Sequence, residues 1–489
     1  MKEFRFKRNE KGNALAMVLV MIVIIAITLT SLLGYVTSQL KYSSDRVERE
    51  RAFQIAEAGA YYYRWYLAHQ ISTRNAAEIE DFWLNGNPIG VNEDEPYIAE
   101  FKDPDGTAVG QYELEVDPPA PGSTILTVVS TGWTYDKPTV KRVVKVRFRR
   151  PSWSENVFLS NSFMNFGDQS VVYGKVHSNE GIRFDGKAYN TVSSSKSRFD
   201  DPTYGGGRME FGVHTTVNTA DDAAPAYPWA EGTVPVRSDI FVGGREFPVP
   251  EISFTGVTAD FNNMKTQAQN GNGRYFDSDG LGRRINLKDD GTYDVCKVEK
   301  ANASTHAVTS YWKNDMSGKC SSCGGACLSN YPIIDNGVIF VENNVWVEGS
   351  INNKRVTIAA ADLSGGGNQA DIYIGISDRD LRFAAYDCNN MLGLVAQKDV
   401  RVLNACPDDF TVDAALLAQA GLVGILHGMG GKNSLTFNGA IASYLQPYFQ
   451  NGHSGFADRT YNFNNNLLYC PPVYFPTGTE YAIDLWDEL

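Results

Sequence analysis

The sequence lacks the features that mark several classes of protein. It has no Gly-X-Y period, which excludes a collagen triple helix, and its mean hydropathy of -0.28 excludes a polytopic membrane protein. Charged residues make up only 21% and hydrophobic residues 43% of the 489 residues, which is the balance of a folded chain. The formal net charge of -13 repels nucleic acid, so we expect no nucleic-acid partner unless basic residues cluster locally.

The motifs of common enzyme classes are missing as well. No H-E-x-x-H zinc motif occurs, and the segment from Gly452 to Gly455 lacks the spacing of a serine nucleophile elbow. The segment from His427 to Ser434 departs twice from a phosphate-binding loop, because Leu426 stands where glycine is needed and Asn433 where serine or threonine is needed. We therefore predict a protein without enzymatic activity and without a cofactor.

One short segment permits a catalytic alternative. His177 lies in the run VHSN, where it could act with Asn179 and Asp185 in glycan cleavage. The other interpretation is that His177, Ser178 and Asn179 bond backbone groups at a strand corner, as serine and asparagine side chains commonly do in turns. The sequence favours this second interpretation.

A long uncharged run near the N-terminus predicts a membrane helix. Residues Ala14 to Val36 contain no charged side chain and would rise about 34 Å as a helix, which is enough to cross a bilayer core. The preceding residues are mainly basic, which predicts a cytoplasmic N-terminus and an exported remainder. They are Lys2, Arg5, Lys7, Arg8 and Lys11, against Glu3 and Glu10. No small-x-small cleavage site follows the run, so it does not have the form of a secretory signal peptide.

The flanks of this run resemble those of type IV pilins. The basic leader ends in Lys11-Gly12, and the later segment AFQIAEAG, from Ala52 to Gly59, is similar to PilX-like minor pilins and large tip pseudopilins. The resemblance implies a class III prepilin signal, which prepilin peptidase cuts on the cytoplasmic side. Residues 1–12 would be removed, and Asn13 would be the first residue of the mature protein.

The resemblance further implies that a transmembrane and amphipathic helix over residues 13–68 assembles the protein with other pilin subunits in a fibre. Typical major pilins have an aromatic first residue and Glu at the fifth mature position, whereas this chain has Asn13 and Met17. In such families that carboxylate neutralises the N-terminal amine of the neighbouring subunit inside an apolar fibre core, so a subunit without it suits the fibre tip. The residues assigned to fibre assembly are Met17, Ala52, Phe53, Ile55, Ala56, Glu57 and Gly59.

Residues 69–151 predict a small α+β head. Three runs with turn signals between them predict an antiparallel meander: Gly110 to Val116, Ser123 to Trp133 and Thr139 to Arg150. With the preceding helix, this meander forms the unit that the resemblance implies for a pilin head. The basic row of Lys145, Arg147 and Arg149 could follow a DNA backbone, but a solvated strand face is the favoured interpretation.

Residues 152–489 predict a large exported β domain, so that the chain is α+β and mostly β. Short β-branched and aromatic runs are separated by Gly and Asn, as from Val338 to Ala360, which indicates a right-handed parallel β-helix. The segment from Val172 to Ile182 resembles the β-helical domains found downstream of PilX-type helices. A β-sandwich built from the same strands is the alternative.

Two parts of this domain depart from the repeating pattern. An irregular insertion is expected around residues 220–335, with a short helix from Phe261 to Gln269. The C-terminal tail is rich in proline and aromatic residues, and we expect Tyr474, Phe475 and Trp486 to cap the exposed edge of the last rung.

All seven cysteines lie in the part that the topology places outside the cytoplasm, where disulfides persist. An odd count leaves at least one of them unpaired. A pair between Cys388 and Cys406 would join neighbouring rungs, and the C-x2-C-x3-C cluster could alternatively hold a metal ion. Asp277 and Asp279 are weak candidates for a Ca2+ site, because the other EF-hand ligands are missing. The candidates for disulfides are Cys296, Cys320, Cys323, Cys327, Cys388 and Cys406.

Two functions fit these patterns. The first is a minor pilin or pseudopilin with a single-pass helix in the inner membrane, which moves into an extracellular pilus or a periplasmic pseudopilus. Its head would lie at the tip and serve fibre initiation or adhesion to a host or surface glycan or protein. The second is a membrane-anchored carbohydrate-binding or carbohydrate-active β-helix protein of the cell surface. Cleavage after Gly12 distinguishes the two, because only the first requires it.

Overall fold

The structure is a computed structural model in which a long N-terminal helix precedes a large, mostly β region with antiparallel and parallel sheets. Residues 1–9 of the expected leader, and both Cys323 and Cys327, lie outside the described residues. The structure describes residues 10–71, 74, 76–91, 96–119, 123–219, 222–224, 233–254, 257–312, 319–320, 330–365, 369–478 and 481–489.

The first helix, α1 (Glu10–Ile71), contains 62 residues and no proline. A helix of this length rises about 93 Å. The side chains from Ala14 to Ser44 are exposed, whereas Ala52, Ile55 and Tyr63 are buried. Burial therefore begins only in the second half, where apolar side chains recur at intervals of three and four residues on one face.

The second half of α1 packs on an antiparallel sheet in the order β1, β2, β3 and β4. Buried and half-buried side chains alternate along β3, which is what a strand with one face on a helix requires. A second helix, α2, lies beside the same core through Ile79 and Phe82. The bounds are α2 (Ala76–Asn85), β1 (Tyr97–Lys102), β2 (Ala108–Asp117), β3 (Ile125–Thr134) and β4 (Lys141–Arg149).

A 3-10 helix at Trp153–Glu155 leads from this head into the β-rich region. We call residues 158–246 the first arm. Its strands are β5 (Phe158–Ser160), β6 (Met164–Phe166), β7 (Ser170–Tyr173), β8 (Val176–Ser178), β9 (Ile182–Phe184), β10 (Lys187–Ala188), β11 (Val192–Ser194), β12 (Arg198–Asp200), β13 (Met209–Phe211), β14 (Val213–His214) and β15 (Arg245–Glu246). Another 3-10 helix spans Pro202–Tyr204.

The helix α3 (Val257–Gln269) covers the segment expected to be helical and leads to the second arm, residues 273–463. Its strands are β16 (Gly273–Phe276), β17 (Gly282–Leu287), β18 (Thr292–Ala301), β19 (Val308–Trp312), β20 (Lys319–Cys320), β21 (Tyr331–Pro332), β22 (Gly337–Val341), β23 (Asn344–Ile351), β24 (Arg355–Ala360), β25 (Ile372–Ile374), β26 (Leu381–Phe383), β27 (Met391–Ala396), β28 (Val400–Val402), β29 (Asp409–Ala418), β30 (Val423–Ile425), β31 (Gly431–Ser443), β32 (Gln450–Asn451) and β33 (Ser454–Phe463). A 3-10 helix (Asn465–Leu468) and β34 (Ala482–Glu488) end the chain.

Parallel strands from both arms stack into three columns around a continuous apolar core. The first column has the order β15, β11, β8, β5, β31, β29, β27, β24, β22 and β16. The second column is β17, β23, β25, β28 and β30. The third column is β23, β26, β29, β31, β33, β7 and β10. The long strands β23, β29 and β31 contribute to two columns each.

The order of strands in the columns differs from their order in the chain. The first arm runs outward from β5 to β15, and the chain then crosses back with α3 to restart at β16, at the opposite end of the first column. The second arm returns from there until β31 pairs with β5 and β33 pairs with β7. We call these two pairings the seam.

The tail does not cap the last rung of the β-rich region as we expected, because the seam already covers β33. Instead the tail lies on β27, where a side chain at Gly393 would collide with Pro472 and touch Phe475. The Thr357 hydroxyl donates to the Val473 carbonyl oxygen on the same path. Trp486 lies in β34, which pairs antiparallel with β4 and becomes the fifth strand of the head sheet.

The stretch expected to be an irregular insertion also contains ordered rungs. Strands β16 and β17 pair in parallel with β22 and β23, so they belong to the first and second columns. Strands β18 to β21 depart from this pattern, since antiparallel pairings join them to one another and to β17. The polar spacing of residues 270–300 hid these rungs in the sequence.

Candidate functional site

The exposed half of α1, residues 14–44, is the most unusual surface of the described chain. It is long and apolar enough to cross a membrane, and none of the hydrophobic window is buried against the rest of the protein. An exposed apolar surface of this size requires a lipid or protein partner. Its exposed large side chains include Leu15, Met17, Val20, Ile22, Ile25, Leu29, Leu32, Leu33 and Leu40.

Three threonines within this half form hydrogen bonds with the backbone of their own helix. The hydroxyl of Thr28 donates to the Ile24 carbonyl oxygen at 3.0 Å, and that of Thr30 donates to the Ala26 carbonyl oxygen at 2.8 Å. Thr37 bonds the Leu33 carbonyl oxygen in the same way at 2.9 Å. A hydroxyl bonded to its own helix needs no water, so these residues are compatible with an apolar environment.

The residues assigned to fibre assembly divide between two surfaces. Met17 lies on the exposed half, with 73% of its surface accessible. Ala52, Ile55, Ala56 and Gly59 are instead buried against the head sheet, and Phe53 and Glu57 are half-buried. The second half of the helix therefore packs on its own head through these four residues, and Met17 lies on a surface that is open to another subunit.

Small residues bring α1 and the sheet unusually close. A Cβ atom on Gly132 of β3 would lie 2.4 Å from both the Ala52 carbonyl oxygen and the Ala56 nitrogen. On the helix side, a Cβ atom on Gly59 would lie 2.4 Å from the Ser130 hydroxyl oxygen. The segment AFQIAEAG thus owes its small residues to a close helix–sheet contact.

A polar clamp holds α1 to the head where the exposed half ends. Thr134 of β3 donates to the buried Glu48 carboxylate at 2.6 Å, and Arg51 donates to the same carboxylate at 3.1 Å. Lys137 donates to Asp45 at 2.6 Å, and this hydrogen bond lowers the pKa of Asp45. The clamp fixes the direction in which the exposed half leaves the head.

The basic row of β4 is neutralised by the C-terminal strand. Arg147 donates to Asp484 at 2.7 Å, and Arg142 pairs with Glu488. Asp487 stands opposite Lys145 in the register of the two strands. A DNA-binding row therefore does not form on this strand. The three acids of the segment AIDLWDE were the sequence signal for this pairing.

The structure gives His177 a positioning role. Its Nε2 donates to the Asn179 Oδ1 at 3.2 Å, its Nδ1 lies 3.0 Å from the Ser193 hydroxyl oxygen, and burial lowers the pKa of the imidazole. Asn179 bonds both the N–H and the carbonyl oxygen of Ile252, in the segment that crosses to α3. Asp185 binds Arg183 and Thr216 instead, so the three candidate residues for glycan cleavage do not form one group.

The structure shows a disulfide whose partners the sequence left open. Cys388 pairs with Cys470, because the tail passes the turn before β27, and Cys406 is a buried free thiol. Cys296 is also disulfide-bonded, and Cys320 lies in β20.

The two candidate metal sites have different outcomes. Asp277 pairs with Arg283 at 3.0 Å and Asp279 with Lys297 at 2.5 Å, so both weak calcium candidates form ion pairs. Within the described residues, no group of three His, Cys, Asp or Glu side chains is placed to hold a metal ion. The proposed thiolate cluster falls in part outside those residues, since Cys323 and Cys327 are not among them.

Comparisons with known proteins give a likeness in structure and none in sequence. No family model matches the chain, and no curated protein matches its sequence. The structure is similar to the crystal structure of the competence-associated pilin ComZ from Thermus thermophilus, with a TM-score of 0.32 and 14% sequence identity. The alignment covers 90% of this chain and 97% of that chain. A TM-score of this size does not establish a common fold.

Proposed function

We propose that this protein is a minor pilin or pseudopilin of a type IV pilus-like or type II secretion-like fibre. The observation that carries the proposal is the form of α1. Its first half exposes mostly apolar side chains, without a charge from Ala14 to Leu40, and its second half is fixed in the core of the head without a break in the helix. A helix that is built in this way can leave the bilayer and pack among the helices of other subunits while the head stays rigidly attached.

The proposal includes processing at the N-terminus. Prepilin peptidase removes residues 1–12 after Gly12, and Asn13 becomes the first residue of the mature subunit in the inner membrane. The N-terminus is cytoplasmic and the head is exported. Met17 supplies no carboxylate to neutralise the N-terminal amine of a neighbouring subunit, which supports a position at the fibre tip.

We also propose that the three columns form a right-handed parallel β-helix with a structural and not an enzymatic role. The parallel register between successive strands supports this arrangement over a sandwich of antiparallel sheets. The buried His177, which is fully engaged with its neighbours, supports the absence of catalysis at that position. Located at the tip, this region would serve fibre initiation or surface adhesion.

The decisive experiment is the intact mass of the full-length chain expressed with and without a prepilin peptidase. We expect the loss of residues 1–12 only with the peptidase, and no loss from a Gly12→Ala variant. The matched control is Gly34→Ala, since a Cβ atom there meets nothing within 4 Å, and it should be cut like the wild type. An uncut wild-type chain would contradict the pilin proposal and favour an anchored carbohydrate-binding protein of the cell surface.

A further inference from the structure

The outward side of the third column is polar. Alternate side chains of a strand point outward, and the parallel register places like residues beside one another on β29, β31 and β33. We call the resulting three rows the polar face: Asp409, Ser434 and Asp458; Thr411, Thr436 and Thr460; and Asp413, Asn438 and Asn462.

An aromatic pair continues the polar face across the seam. Tyr173 of β7 stands opposite Asn462, and Tyr189 follows it at the end of β10. The two rings stack at 4.6 Å with an angle of 12° between their planes, and 46% and 42% of the two residues remain exposed. Both arms therefore contribute to one continuous surface.

A groove of about 440 Å³ lies at the other end of the same face. Its lining includes Lys288, Ser350, Arg379 and Arg382. The Arg382 guanidinium donates to the Thr411 hydroxyl at 3.0 Å, which links the groove to the threonine row. The guanidinium of Arg379 has no partner among the residues that the structure describes.

Hydrogen bonds hold the amide row in one conformation. Asn462 donates to Asn438 at 2.8 Å, and Asn438 donates to the buried Asp413 at 2.7 Å. The Tyr386 hydroxyl donates to the same carboxylate at 2.9 Å. By contrast, the hydroxyls of Thr436 and Thr460 have no protein partner in the described part of the chain. They remain available to a ligand that lies on a rigid surface.

We propose that the polar face binds a neutral, linear polysaccharide along the axis of the third column. Like groups recur on successive strands about 4.8 Å apart, and six such steps from Ser350 to Tyr189 span about 29 Å, so the surface fits a long ligand that repeats. Hydroxyl and amide groups match sugar hydroxyls, and tyrosine offers rigid amphipathic contact at small entropic cost. The exposed acids Asp409 and Asp458 oppose a polyanion such as nucleic acid.

This inference specifies the adhesion part of the proposed function, and its test does not depend on fibre assembly. The full-length protein in detergent micelles is mixed with insoluble cellulose, chitin or curdlan, and its depletion from solution gives a Kd. The Tyr173→Ala/Tyr189→Ala and Thr436→Ala/Thr460→Ala variants should each raise the Kd by about tenfold or more, the size expected for central contacts. Both pairs are accessible to solvent, so melting temperatures should stay close to that of the wild type.

The matched control is Tyr135→Ala, which removes an exposed tyrosine from the head and should bind like the wild type. Binding by both face variants with the Kd of the wild type would overturn the proposal, as would a failure of all three polymers to deplete the wild-type protein. Tighter binding to alginate or duplex DNA than to the neutral polymers would overturn it too. Cleavage after Gly12 is read separately by mass, so either proposal can fail while the other stands.

Discussion

Phe158 and Ile441 are direct partners in the first column, although they lie near opposite ends of the β-rich region. Both are buried, and Phe158 also packs edge-on against Phe166 at 4.9 Å and Tyr461 at 4.7 Å. The first strand of the first arm, β5, thus packs against the last two long strands of the second arm, β31 and β33. In stacked repeats each unit is stabilised by its neighbours, so the stabilities of the two arms are coupled through this contact.

Substituting Phe158→Ala should loosen both arms. Removing a buried aromatic side chain costs about 3–5 kcal/mol, and at the seam that loss weakens the neighbours on either side. Hydrogen exchange measured by mass spectrometry should show faster exchange in both β8 and β29. The control is Phe276→Ala in β16, at the far end of the column, which should affect only the second arm. Faster exchange confined to one arm in the Phe158 variant would contradict the coupling.

The contact between Gly132 and α1 should tolerate no side chain. In Gly132→Ala the new Cβ atom would meet backbone atoms of Ala52 and Ala56, so helix and sheet must separate at a cost of about 1–3 kcal/mol or more. Urea denaturation followed by tryptophan fluorescence measures this loss. In Gly478→Ala the nearest atoms, both of Pro151, lie at 3.6 and 3.7 Å, and the change in stability should stay within about 0.5 kcal/mol.

The disulfide between Cys388 and Cys470 should stabilise the native chain substantially. It joins residues that are 82 positions apart and thereby restricts the unfolded chain. We expect the Cys388→Ser/Cys470→Ser variant to lose about 2–4 kcal/mol of unfolding free energy in calorimetry or urea melts. Cys406→Ala, which removes a free thiol, should leave the pattern of disulfide-linked peptides unchanged. A wild-type pattern that links Cys388 to Cys406 would contradict the structure.

Cys406 should be unreactive in the folded protein. Burial raises the pKa of its thiol to about 12, so almost no thiolate is present at pH 8. Iodoacetamide should label it only after unfolding. Because the unfolded thiol loses its proton near pH 8.5, this group favours the folded state least at high pH, and stability should fall as the pH rises above about 9. Rapid labelling of the native protein at pH 8 would show that the site is open.

Deleting the last strand should expose a sheet edge. Without residues 482–489 the backbone of β4 loses its partner, and Arg147 loses the Asp484 carboxylate. Exposed edges pair with other chains, so size-exclusion chromatography should show association of the truncated protein. Removing Leu489 alone should leave the elution volume unchanged. A monomeric, cooperatively melting truncation would show that β34 is dispensable.

Local patterns predicted the elements that depend on neighbouring residues. The uncharged run and the absence of proline predicted α1, and turn signals between alternating apolar and polar runs predicted β2 to β4. The helix expected from Phe261 to Gln269 lies within α3. The small residues of AFQIAEAG were visible in the sequence as well. Their close contact with the sheet could not be predicted, because the partner of Ala52 and Ala56 is a glycine in a distant strand.

Long-range partners could not be read in the same way. The pairing of Cys470 with Cys388 depends on the path of the tail over β27, and that of Asp484 with Arg147 depends on the free edge of β4. The polar face arises from registers between strands, because Thr411, Thr436 and Thr460 are far apart in sequence and adjacent only in the third column. A repeat in the sequence reveals such rows only when the same number of residues separates successive strands of a column, and here that number varies.

The seam also ties folding to the time course of synthesis. The first arm is synthesised before β31 and β33, the strands that pair with β5 and β7. More than half of the β-rich region lies between these two pairs of strands in the sequence. At a synthesis rate of roughly 5–20 residues per second, the edge of β5 stays unpaired for on the order of 10–50 s until β31 has been made. During that interval the first arm can be completed only by a chaperone or by another chain, so the nascent protein, and not the finished one, is the form most exposed to misassembly.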